Sequence, residues 1–137
     1  MIIDATVLID AERGRFDMTA FLQSLTDDGV AIGSITASEL LYGCERARDG
    51  ATRGRRTAFV EAVLDSFPIV PFGLVEARRH AQLWAHLAQQ GTPIGPHDSL
   101  LAATALAHGL SVATLNIGEF ERVPGLTLVP LERFRRT

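Results

Sequence analysis

The chain contains no lysine, and all 13 of its cationic side chains are arginine. Arginine's planar fork suits phosphate and carboxylate recognition, and the same bias also follows from the codon usage of the source genome. There is one cysteine, Cys44. A lone thiol excludes an intramolecular disulfide framework and a cysteine-rich zinc site, so nothing points to a small secreted, stapled fold. No uninterrupted apolar run approaches the ~18 residues of a membrane-spanning helix, and the opening Met1-Ile2-Ile3-Asp4 carries no basic stretch of a secretion signal. A cytoplasmic location and no membrane partner are therefore expected. The formal net charge is -3, so the chain lacks the bulk basicity that marks many nucleic-acid binders, and an anionic ligand has to meet a local patch. Neither a Gly-x-Gly-x-x-Gly run nor a phosphate-loop lysine is present, which argues against a nucleotide cofactor.

What is present is an ordinary globular composition, 47% hydrophobic and 21% charged over 137 residues, long enough for one domain with a real core. Without repeats, low-complexity tracts or a shift in composition, residues 1–137 read as a single domain. Short Ile- and Val-rich runs alternate with longer stretches of helical period. That is the signature of an α/β fold built on a parallel sheet. Strands are predicted at 1–4, 30–33, 69–72, 111–114 and 126–129, and helices at 16–26, 36–48, 57–67, 74–90 and 98–108, with about seven helices in all. Gly91 and Gly109 are placed to stop two of these helices.

Polar side chains recur where the strands end: Asp4 after Met1-Ile2-Ile3, Glu39 after Val30-Ala31-Ile32-Gly33, Asp98 after Pro93-Ile94-Gly95-Pro96, and Asn116 after Ser111-Val112-Ala113-Thr114. On parallel neighbouring strands these groups converge at one edge of the sheet, the edge at which open α/β sheets bind ligands. Gathered carboxylates repel one another unless a cation holds them, and hard oxygen donors select Mg²⁺ or Mn²⁺. Each position also has a purely structural reading. Asp4 precedes a helix as an N-cap would, Thr36 with Glu39 fits a capping box, Asp98 sits at a helix start, and Asn116 with Glu119 is again a cap-like pair. Caps explain the residue types but not their recurrence at one edge.

Other residues carry weaker signals. Arg46, Arg48, Arg53, Arg55 and Arg56 cluster between two predicted helices and suit either an RNA backbone or an acidic partner, or form a solvated junction paired with Glu45 and Asp49. Arg133, Arg135 and Arg136 make a basic tail. His80, His86, His97 and His108 lack metal-ligand spacing, and His97 alone adjoins a candidate acid. Trp84 shares a helical stripe with His80, Leu83 and Leu87, so core or dimer packing is expected of it.

Over essentially its full length the chain resembles PIN-domain ribonucleases of the VapC toxin type. The resemblance is carried by Met1-Ile2-Ile3-Asp4 with Thr6 and Ile9-Asp10, by Ser34-Ile35-Thr36 through Glu39-Leu40 and Tyr42-Gly43, by Pro96 through Asp98 with Ala102-Ala103-Thr104-Ala105, and by Thr114 through Asn116 with Glu119-Phe120 and Pro124-Gly125-Leu126. It implies a three-layer α/β/α PIN domain with a central five-stranded parallel sheet. It further implies a Mg²⁺-dependent endoribonuclease, with Mn²⁺ able to substitute, that cleaves tRNA or another structured RNA. Asp4 and Asp98 are then the principal metal ligands, and Glu39 binds the metal through water or orients the attacking water. Many members carry Asp where this chain has Asn116, an amide that can ligate or hydrogen-bond but not act as a base at neutral pH. Glu119 is the candidate for the missing carboxylate. Ala5 stands where the family usually has a hydroxyl, leaving Thr6 to supply it.

The same resemblance implies a cognate VapB-type antitoxin docking on helices 16–26, 36–48 and 57–67, and a homodimer formed through 74–90 and 98–108. Two alternatives stay open at the level of the sequence. One is a catalytically weakened PIN module that binds RNA or antitoxin, suggested by Asn116. The other is a different Mg²⁺-dependent phosphatase or DNA nuclease on a similar sheet.

Overall fold

The computed structural model describes residues 1–26 and 29–136. Four parallel strands form the sheet, β1 (Ile2–Ile3), β2 (Ala31–Gly33), β3 (Ile69–Val70) and β4 (Val112–Ala113), in the order β3-β2-β1-β4. Around them lie α1 (Ala5–Glu12), α2 (Met18–Ser24), α3 (Ser34–Arg46), α4 (Gly50–Ser66), α5 (Leu74–Gln90), α6 (Pro96–His108), α7 (Ile117–Phe120) and a 3-10 turn at Glu132–Phe134.

Side-chain alternation along the strands divides the core. Ile2 and Val112 face a cluster built from Leu83 and Leu87 of α5 and from Leu101, Ala102, Ala103 and Ala105 of α6. Ile3, Ile32 and Ala113 face the other way, into Val7 and Leu8 of α1, Phe21 of α2, Leu40 and Cys44 of α3, and Val60 and Val63 of α4. Both sheet faces are thus covered, as an all-parallel sheet requires, and the result is the expected three-layer α/β/α arrangement. The small side chains of α6 let it lie close against the sheet. Gly91 and Gly109, at φ 68 and 64, close α5 and α6 in the left-handed conformation that glycine reaches without steric cost.

The sheet has four strands and not the five expected. Residues 126–129 contribute one isolated bridge, Val112 to Leu128, with Val112 N donating to Thr127 O and Val129 N to Val112 O, both at 2.9 Å. The turn at Pro124-Gly125 lies just before this segment and Pro130, which has no N–H to donate, just after it, so the pairing cannot extend into a ladder.

Helix boundaries move in informative ways. The sequence reading contained no separate helix at Ala5–Glu12, although it recognised Asp4 as a possible cap. Helix α3 starts at Ser34 behind Gly33, so Thr36 lies inside its first turn and the Thr36–Glu39 capping box does not form. Thr36 is fully buried, and its hydroxyl has no hydrogen-bond partner among the described residues. Helix α4 begins at Gly50, capped by Asp49 accepting from Thr52 N at 2.9 Å. Arg53, Arg55 and Arg56 therefore ride on a helix and not in a junction. Trp84 is 67% exposed and is no part of the core. Among the described residues, no helix is long and apolar enough to cross a membrane.

Candidate functional site

The strand order places the divergence of the chain between β1 and β4. From β1 the fold runs to β2 on one side, and β4 closes on its other edge. Crevices of this kind lie at the carboxyl ends of the strands. Asp4 follows β1 there and Thr114 follows β4.

Asp4 is buried, 2% exposed, and its carboxylate is held from three directions. Ala5 N donates to Oδ1 at 2.8 Å, while the hydroxyls of Thr6 and Thr114 donate to Oδ2 at 2.9 and 2.7 Å. Asp4 is thus both the N-cap of α1 and a fixed inward-facing acid, so the two readings of this residue are compatible. The hydroxyls are held in turn, because Leu115 N donates to Thr6 Oγ1 at 3.1 Å and Asn116 N to Thr114 Oγ1 at 2.9 Å. Thr6 supplies the hydroxyl that Ala5 lacks. Thr114, at the start of the Thr114–Asn116 motif and not itself among the predicted site residues, holds Asp4 most closely. Its signal was a hydroxyl two residues ahead of Asn116 at a strand end.

Asp98 projects from the first turn of α6, whose cap position is Gly95, and makes no capping bond of its own. Instead it accepts from Asn116 Nδ2 at 2.8 Å. Asn116 occupies the cap position of α7 but makes no side-chain capping bond either. Glu119 Oε2 accepts from Gly95 N at 2.8 Å, which ties α7 to the loop that launches α6.

Burial and neighbouring charge act on these acids as they act on carboxylates crowded in a crevice. Desolvation, a hydrogen-bonding contact with Glu119, and the charges of Asp4 and Glu119 push Asp98 up to about 7, against a smaller opposing pull from Asn116. Glu119 is lowered, first by the Gly95 N–H and then by Asp98, so within this pair the proton resides on Asp98. Glu39, on α3, is raised by desolvation and by the charge of Asp4, with His97 opposing, its Nδ1 lying 3.7 Å from Glu39 Oε1. The structure thus joins Asp98 to Asn116 and Glu119, and sets Asp4 within charge range of both Asp98 and Glu39. Glu39 stands at the outer side, beside a groove that it shares with Ile9, Leu40, Tyr42, Arg46 and Phe59.

The donor set is all oxygen apart from the amide of Asn116, the chemistry that suits a hard divalent ion. Among the described residues, no three acidic, His or Cys side chains are gathered as a ready-made coordination cage. Mg²⁺ keeps several of its waters and takes one or two direct carboxylates, so the donor types present suit it without such a cage. Asp98 and Glu39 are raised first by desolvation and then in part by the charge of Asp4, and added positive charge would offset both effects. Of the histidines, His97 lies beside Glu39, whereas His80 Nε2 is 3.1 Å from Ser99 Oγ and His108 Nε2 is 2.8 Å from Glu76 Oε2.

Comparison with known proteins agrees with this geometry. The family model described as PIN domain matches residues 1–126. The chain is 36% identical over 134 residues to a protein named ribonuclease VapC from Rickettsia bellii, covering 96% of this chain and 98% of that one. It is also 36% identical over 105 residues to a tRNA(fMet)-specific endonuclease VapC from Salmonella typhimurium, 77% of each chain. Among solved structures it is similar to a chain of the DNA-bound VapBC from Salmonella typhimurium, at a TM-score of 0.84 and 31% identity, covering 93% of this chain and 95% of that one.

Proposed function

Because the chain belongs to the PIN-domain family, we propose that it is a Mg²⁺-dependent endoribonuclease, the toxin half of a VapBC pair, with a VapB-type antitoxin as its partner. One observation carries the chemical side of this reading: Asp4 and Asp98 share one crevice, the first fixed by two threonine hydroxyls and the second held near neutrality. Mn²⁺ is the expected substitute ion.

Asp4 and Asp98 would hold the ion directly, Asp4 being pre-positioned and Asp98 losing its proton when the ion arrives. The bound ion supplies a water of lowered pKa and offsets the charge growing on the phosphoryl group. Glu39, with its raised affinity for a proton, is suited to orient the attacking water and accept its proton. Asn116, an amide, holds Asp98 and does not act as a base. Glu119 stays ionised and anchors the Gly95 turn from which Asp98 projects. Burial of Asp4 keeps bulk water from competing at its carboxylate.

A tRNA is the proposed substrate, supported by the name of the Salmonella typhimurium relative. The antitoxin is proposed to dock on α2, α3 and α4. Leu41 and Tyr42 are 40% and 63% exposed there, next to the groove that Leu40 and Phe59 share with Glu39. A homodimer is proposed through α5 and α6, where exposed Trp84 borders an apolar recess with Leu87, Ile94 and Leu100. The single-domain extent, 1–137, belongs to the same proposal.

The test is cleavage of total RNA by the purified protein with Mg²⁺, with EDTA, and with Asp98→Asn, mapping the new ends by sequencing. Discrete metal-dependent cuts that vanish in the variant are expected. Absence of cleavage with both Mg²⁺ and Mn²⁺ would instead favour an RNA- or antitoxin-binding module.

A further inference from the structure

The fold brings part of the basic C-terminal tail to the acidic crevice. Residues 15–17 and 134–136 run antiparallel: Asp17 N donates to Phe134 O and Arg136 N to Arg15 O, each at 2.8 Å, and Phe16 and Arg135 form a bridge. Behind this bridge Phe16, Phe21 and Phe134 pack as a ring trio, with centroids 5.7, 6.1 and 5.3 Å apart. The tail is therefore fastened to the core through buried aromatic area.

Together with the end of α1, the tail walls an open groove lined by Thr6, Asp10, Arg13, Arg15, Asn116 and Arg135 among others. Three guanidinium groups face one carboxylate here, in a chain whose net charge is -3. Arg15 neutralises Asp10 at 2.8 Å. Arg135 meets Glu132 at 3.5 Å across an exposed, screened contact, and Arg13 makes no ion pair among the described residues. The inner end of the groove is the catalytic crevice itself, since Thr6 bonds Asp4 and Asn116 bonds Asp98.

Resting on the endoribonuclease reading above, we propose that this groove takes the RNA backbone on one side of the scissile phosphate, with Arg13 and Arg135 as the phosphate contacts. A polyanion needs spaced guanidinium groups along a solvated path, which this groove offers. An amphipathic peptide needs an apolar bed, and that lies in the neighbouring groove with Leu40, Tyr42 and Phe59, which shares only Ile9 and Arg13 with this one, whereas Arg135 lines this groove alone. Arg135 falls beyond residue 126, where the match to the family model ends. The contact therefore rests on a residue outside the part of the chain that the family model describes.

The test uses bulk tRNA as the probe. Its binding to the full chain is followed in EDTA across a salt series, alongside cleavage kinetics with Mg²⁺. The R13A/R135A double variant is expected to bind at least tenfold more weakly. Its salt slope should flatten by about two contacts' worth, and KM should rise with kcat nearly unchanged. R13K/R135K should restore most of the binding. Unchanged tRNA binding and salt slope in R13A/R135A, with cleavage intact, overturns the groove while leaving the nuclease reading standing. Loss of antitoxin binding with unchanged tRNA binding reassigns the groove to the peptide. A chain that neither binds nor cleaves tRNA overturns both readings.

Discussion

Asn116 Nδ2 donates to Asp98 Oδ2 at 2.8 Å, while the backbone N–H of the same residue donates to Thr114 Oγ1, which in turn donates to Asp4. One amide residue therefore links both carboxylates proposed to hold the metal, without adding negative charge between them.

Replacing Asn116 with Asp removes that donor and sets another carboxylate against Asp98. In EDTA at pH 8 the variant should melt lower by about 3 to 5 °C, corresponding to about 1 kcal/mol at this chain length. Saturating Mg²⁺ should recover most of the loss, and thermal scans with and without the ion decide it. An identical melting temperature in EDTA would mean the amide is not relieving repulsion.

Asp98→Asn should abolish cleavage and stabilise the metal-free protein. The Asp98 carboxyl binds its proton more tightly in the folded chain, at about 7, than at its ordinary 3.8. Folding is therefore penalised progressively as pH rises between those values, with the full penalty above 7. Because the site is only half-buried, a gain of about 1 kcal/mol is expected at pH 8 after solvent screening, falling to none near pH 3.5. Denaturant midpoints at the two pH values measure it, and a gain of equal size at both would contradict the assignment.

Protons and metal compete for Asp98. Below about 7 the carboxyl must release its proton to bind the ion, so the apparent Mg²⁺ or Mn²⁺ affinity should weaken by up to about tenfold per pH unit. Above that pH it should level off. Calorimetric titration between pH 5.5 and 8.5, in buffers of different ionisation enthalpy, reads both the affinity and the proton released. A pH-independent affinity with no proton release would place the metal elsewhere.

Thr114→Val keeps shape but removes the closest hydroxyl on Asp4 and the acceptor for Asn116 N. Leaving buried partners unpaired costs about 1 to 3 kcal/mol. Loss of a group that orients a metal ligand should also lower metal affinity or activity by about 10- to 100-fold. Urea unfolding and Mg²⁺ titration report the two effects separately.

Thr36→Val should act in the opposite direction. The buried hydroxyl of Thr36 has no partner among the described residues, so an isosteric methyl removes a desolvated polar atom without opening a cavity. A stabilisation of about 1 kcal/mol is expected with cleavage unaltered. A lowered denaturant midpoint would reveal a partner for this hydroxyl.

The sequence disclosed the residues that bear periodic burial or end an apolar run. Asp4, Asp98 and Asn116 were legible because each follows a strand or turn signal, and α5 and α6 because glycines close them. Helix α1 escaped because Ala5–Glu12 is apolar on nearly every side, with Val7 and Leu8 buried, so it shows little contrast between faces. Residues 126–129 resemble a strand locally, yet their pairing is cut short by flanking turn and proline. The capping box that Thr36 and Glu39 also suggested does not form, because a glycine, which carries no side-chain signal, holds the cap position. Thr6 and Thr114 each carried a local signal, but their joint hold on Asp4 did not, since the two meet only in the folded chain.

That meeting has a bearing on synthesis. Asp4 is made before Thr114, the residue 110 positions later whose hydroxyl grips it most tightly. A growing chain that has not passed Thr114 through the exit tunnel holds the first acid without its clamp, and without Asn116 to steady Asp98. Assembly of the acidic centre thus waits until Asn116 has been added, so a fragment that stops short of it would be born with its acids uncoupled.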